Sequence, residues 1–182
     1  MARSLNPIPW RRNSAAAEKL YGAIVAQARL PLFYQAFGLP DTLEGRFSVL
    51  SLHLFAVLHR LGQGNDEAAY LSQELVDTFT ADMETVLREI GVGDLSIPEK
   101  MRGLATSSAA LLQSYAAGFA TSDEALAATI AETLPLDGDA AMTAAQSLAP
   151  YLREVVRKLE AQQIYRLVAG KVKFHQISET SE

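Results

Sequence analysis

Two long helical stretches joined by a four-residue turn constrain the fold of this chain more than any other feature. The first, LFYQAFGLPDTLEGRFSVLSLHLFAVLHRL from Leu32 to Leu61, passes through Gly38-Leu39-Pro40-Asp41 and is closed by Gly62-Gln63-Gly64-Asn65. The second begins at Asp66 and stops at Gly91-Val92-Gly93-Asp94, where one glycine is expected in the left-handed conformation. So short a turn folds the two stretches back on each other as an antiparallel hairpin. No segment alternates with period two. The expected fold class is therefore all-α, a single-domain helical bundle built around this hairpin.

The remaining punctuation is also helical. Ser14 is expected to cap a first helix that runs to about Arg29, and Leu32–Phe37 a short second one. Capping boxes are read at Asp41-Thr42-Leu43-Glu44, Ser96-Ile97-Pro98-Glu99 and Thr121-Ser122-Asp123-Glu124. The last two open helices to about Ala117 and to Leu134. Asp139 is expected to cap a final helical region to Val168, kinked or divided by Pro150. The domain reading is a flexible basic arm over 1–13, a helical domain over 14–170 and a tail over 171–182.

The 182 residues carry a net charge of −5 and no cysteine. Disulfides, thiol catalysis and thiolate metal sites are excluded, and a reducing compartment is expected. The acidic balance argues against DNA binding, which needs a concentrated basic face. The N-terminus has Arg3, Arg11 and Arg12 but no apolar signal region, and a cytoplasmic location is expected. Charge is also segregated. Acids dominate Asp66 to Asp94, with Arg88 alone against them. The C-terminal part carries Arg153, Arg157, Lys158, Arg166, Lys171 and Lys173, candidates for contact with anionic lipid or ribosomal RNA.

A polar stripe crosses the hairpin. Arg46, Leu50, His53, Val57 and Arg60 recur at spacings of four, three, four and three, and Gln73, Asp77, Glu84 and Arg88 lie close to one face of the partner helix. Antiparallel register sets His53 near Asp77 and Arg46 near Glu84. As catalysis, the first pair would be a general base and its orienting acid, yet no nucleophile motif accompanies it. As a metal site it lacks the Glu-x-x-His pairs of helical bundles, since no glutamate stands three residues before His53, His59 or His175. The preferred reading is structural: a buried network of Arg46, His53, Arg60, Asp77, Glu84 and Arg88 that fixes register, with neither catalytic residues nor a metal or cofactor. Replacing Arg46 or Asp77 by alanine is then expected to be strongly destabilising.

Tyr34, Asp41, Gly45, Arg46, Phe47, His53, Arg60, Gln73, Asp77, Asp82, Arg88, Glu89, Gly91, Gly93, Asp94, Pro98, Lys100 and Met101, at their spacings, resemble the ubiquinol–cytochrome c chaperone family, most strongly over residues 20–102. The chain departs from the family pattern at Ala110-Leu111, where a Gly-Arg pair is usual before the tyrosine. The resemblance implies a non-enzymatic chaperone that binds newly made cytochrome b during assembly of complex III. It further implies a small partner protein and the ribosome as contacts, and approach to the membrane surface. Asp82, Gly91, Val92, Gly93, Asp94, Leu95 and Lys100 are the candidate partner-binding residues. The alternatives are a helical small-molecule or lipid carrier, which needs an apolar pocket, and an enzyme using His53 and Asp77.

Overall fold

The computed structural model describes residues 10–174. Over these it consists of eight helices: α1 (Trp10–Ala28), α2 (Leu32–Gln35), α3 (Leu43–Gly62), α4 (Asp66–Glu89), α5 (Ile97–Thr121), α6 (Asp123–Ala131), α7 (Gly138–Glu160) and α8 (Ile164–Val168). The fold is all-α, as expected. Most of the anticipated basic arm lies outside the described residues, and α1 begins at Trp10, earlier than Ser14.

Helix α3 is the axis of the molecule. Every residue from Ser48 to Val57 is buried, so this helix has no solvent face along its middle. That pattern requires neighbours all round, and α1, α4, α5, α7 and α8 supply them. Helix α4 is amphipathic instead. Ala68, Leu71, Leu75 and Phe79 are buried at spacings of three, four and four, and its most extensive contact is with α1. Tyr21 packs edge-on against Phe79, and Phe47 of α3 meets Phe79 with ring centroids 6.2 Å apart. The hairpin register is therefore within one turn of the expected one.

The ends of the helices show which side chains cap them. Thr42, not Asp41, accepts from the Gly45 amide, and Asn65 accepts from Ala68. Each satisfies one of the unpaired donors of a first turn. Ser122 does the same for Ala125, so the third box is used, but α6 stops at Ala131. The Ser96 hydroxyl caps nothing, and α5 runs on to Thr121. Asp139 lies inside the first turn of α7, with Asp137 at the cap position. Pro150 neither ends nor divides α7. The break falls at 161–163, between α7 and α8. Gly91 has φ +87°, and the Val92 and Gly91 amides reach back to Leu87 and Arg88. This closes α4 with a left-handed glycine, as its sequence predicted.

Candidate functional site

His53 lies in the deepest polar position, on the side of α3 away from α4. Its Nδ1 is 2.8 Å from the Val49 carbonyl, which can only accept, so Nδ1 carries the proton. Nε2 is then the acceptor for the Tyr151 hydroxyl at 2.6 Å, and the Gln27 amide donates to that hydroxyl oxygen at 3.3 Å. The ring centroids of Phe33, Phe174 and Tyr151 stand 5.4, 5.5 and 5.6 Å from that of the imidazole. Full burial pushes the His53 pKa down to about 4, and burial raises that of Tyr151 to about 12. Both ring nitrogens are engaged within the protein, so the imidazole presents none to a substrate.

The expected ion-pair ladder is not formed. Asp77 is exposed and accepts from Gln73, not from His53. Arg46 pairs with Asp41 at 2.6 Å on the surface, and Glu84 pairs with Arg88 of its own helix. The reason is geometric. The stripe of α4 chosen from sequence is its solvated face, and His53 points toward α2 and α7. Arg60 is structural but by another route. It donates to the Leu159 and Gln162 carbonyls at 3.1 and 2.9 Å, the first in the last turn of α7 and the second in the break beyond it. Since Arg46 and Asp41 are both more than half exposed, the Arg46→Ala variant is expected to give a melting curve that overlays wild type. Differential scanning calorimetry at 0.15 M salt checks this.

Protonation of His53 has a predictable cost. Its pKa is lower in the folded than in the unfolded chain, so the unfolded state binds the proton first as pH falls. The group costs nothing above about pH 6.5, and stability drops as pH descends toward 4, by about 3 kcal/mol in all. Urea titrations at intervals between pH 7 and 4 should show this slope, and the His53→Gln variant should lose that part of it.

The basic C-terminal set divides in two. Arg153 is committed to the fold and is not a free membrane or ribosome contact. It pairs with Asp123, donates to the Phe119 carbonyl at 3.0 Å and stacks 4.6 Å from the Phe119 ring centroid. Arg157 makes a two-pronged pair with Glu154, and Lys158 is 3.7 Å from the same carboxylate. Arg166, Lys171 and Lys173 have exposed side chains. Gln162 holds the backbone of Lys173 from both sides, which places Phe174 over His53. His175 lies outside the described residues.

A concavity with an apolar lining lies elsewhere, between α1, α3, α4 and α5, with a volume of about 540 Å³. Val25, Leu43, Phe47, Met83, Leu87 and Ile90 give it apolar walls, and Leu43 and Ile90 are 49% and 58% exposed. Asp82 stands on one wall, fixed by the buried Tyr21 hydroxyl at 2.6 Å. Burial and this carboxylate push the Tyr21 pKa up, so the phenol stays a donor. Sequence had singled out Asp82 but not the groove, because its walls come from four helices. The other candidate partner residues lie in the loop beyond and, for Lys100, in the first turn of α5. Asp94 is tied to Arg88, Lys100 is exposed, and Leu95 is 100% exposed at the tip. Val92 is partly covered, and Gly91 and Gly93 are exposed.

Comparison with known proteins gives one consistent picture. The family model for the ubiquinol-cytochrome C chaperone matches residues 35–174. The ubiquinol-cytochrome-c reductase complex assembly factor 1 of Xenopus laevis is 27% identical over 115 residues, 63% of this chain. The chain spans 58% of the length of that relative. The crystal structure of the Cbp3 homolog from Brucella abortus superposes with a TM-score of 0.83 at 32% identity, covering 94% of this chain and 95% of that one.

Proposed function

The chain belongs to the ubiquinol-cytochrome C chaperone family, and from that premise we propose that it is a non-enzymatic assembly chaperone of complex III. Its client is newly made cytochrome b, held in the groove between α1, α3, α4 and α5. The observation that carries this reading is the exposed apolar lining of that groove, with Leu43 and Ile90 at its edges. Large side chains left open to water in this way are the means by which a chaperone holds apolar client segments. The non-enzymatic part is supported by His53, whose ring nitrogens are both engaged inside the protein.

Further contacts follow from the surface. The Leu95 tip, held by the Arg88–Asp94 pair, is the proposed contact for a small partner protein. Arg166, Lys171 and Lys173 are the proposed approach to an anionic membrane surface or to the ribosome. No helix of the described residues is long and apolar enough to cross a membrane, which is compatible with peripheral work at the cytoplasmic face. A second reading, a carrier of a lipid-sized molecule, is supported by the volume of the groove, which is that of a ligand site.

Complementation decides between them. A strain without the gene is expected to lose assembled complex III and the haem absorbance of cytochrome b, and the wild-type gene to restore both. Ile90→Glu, at a position already 58% exposed, should fold normally and restore little. A photo-crosslinker at position 90 should capture cytochrome b. Normal complex III in the deletion strain would sink the chaperone reading, whereas full rescue by Ile90→Glu would move the client elsewhere on the surface.

A further inference from the structure

The groove is not electrically neutral. The ionisable residues on its walls are Glu44, Asp82 and Glu89 against Arg29 and Arg46, and Arg46 is already matched by Asp41 at 2.6 Å. Arg29 alone then faces three carboxylates, a net of −2. Asp82 stands inside the apolar lining, oriented by Tyr21, and Glu89 stands exposed one residue before Ile90. The acidic wall belongs to α4, whose residues 82–90 run the length of the groove, about 12 Å or a little over two helical turns. We infer that the groove takes the end of an apolar helix together with the lysines or arginines that follow it, the apolar turns filling the lining and separate cations of the flank meeting Asp82 and Glu89.

Membrane-spanning helices carry this composition at one end. An apolar run ends in a flank enriched in lysine and arginine on the cytoplasmic side. A groove that needs both features would engage the cytoplasmic end of a newly made span and ignore its opposite end, and it would reject an apolar helix flanked by acids through like-charge contact. The inference rests on the client reading of the groove and adds to it the chemistry that is selected and the end of the helix that is held.

The test uses the full chain and two synthetic peptides of about 12 residues, each a Leu/Ala helix with a fluorescent label at its N-terminus. One ends in two lysines and the other in two glutamates. Fluorescence anisotropy should show the lysine peptide binding on the order of tenfold more tightly at low salt, with the margin shrinking at 0.5 M salt. Glu89→Lys, at an exposed position, should erase most of the difference, and Asp82→Lys should invert it. Asp82→Lys loses the Tyr21 bond, so its fold is checked by circular dichroism, and Glu89→Lys stands as the independent variant. Equal binding of both peptides would overturn the charge selection and leave the client groove intact. Binding of neither peptide, with or without uptake of a labelled fatty acid, would overturn both.

Discussion

Phe33→Ala is expected to destabilise the protein by about 3–5 kcal/mol, the range for truncating a fully buried aromatic side chain. Phe33 has no exposed surface and is the sole buried residue of the four-residue helix α2. Its ring lies 5.8 Å from Phe37, 5.4 Å from His53 and 5.3 Å from Tyr151, centroid to centroid. No side chain caps α2, and four residues are too few to hold a helix by themselves. The side chain therefore anchors the segment between α1 and α3 and closes one wall around the buried His53–Tyr151 bond. Urea denaturation should show the loss as a lower midpoint, with Phe33→Leu intermediate. Amide exchange should quicken in α2 more than in α4. A Phe33→Ala loss below about 1 kcal/mol would mean that the aromatic cluster is not packed as described.

Gly45→Ala is the second large effect, expected at about 3 kcal/mol, the upper part of the overpacking range. A Cβ at this position would stand 2.0 Å from the Pro40 carbonyl oxygen and 3.2 Å from its carbon. Both are backbone atoms, which cannot swing aside as a side chain can. Gly45 has an ordinary helical backbone, so the requirement is space and not conformational freedom. Relief of the clash would displace the 38–42 turn and with it the Thr42 cap, 3.2 Å from the Gly45 amide. Gly22→Ala is the control. It lies in α1 with nothing within 4 Å of a new Cβ, so it is expected to stabilise by about 0.5–1 kcal/mol through helix propensity alone. Thermal melts of the two variants should shift in opposite directions.

These two positions show what was legible and what was not. Gly45 is one of the residues that carry the family resemblance, yet nothing in its neighbours along the chain announces that Pro40 folds back over it. His53 is similar. The four-three spacing of Arg46, His53 and Arg60 is real, but each side chain turned to a different neighbour: Asp41, Tyr151 and the end of α7. Spacing places residues on one helix face and does not name the partner that meets it. The ladder expectation failed on that distinction.

Fold class, the hairpin and its approximate register, the left-handed stop at Gly91 and the family were legible in the order of residues along the chain. These are properties of local periodicity, turn chemistry and residue spacing, which the chain carries in contiguous segments. Tertiary structure alone decided that α3 is enclosed all round, that α4 leans mainly on α1, and that Arg153 belongs to the fold. It also decided where the apolar groove lies. The physical reason is common to all four. Each depends on which faces of distant helices come together, and a helix buried on every side reads the same from sequence whichever neighbour it meets.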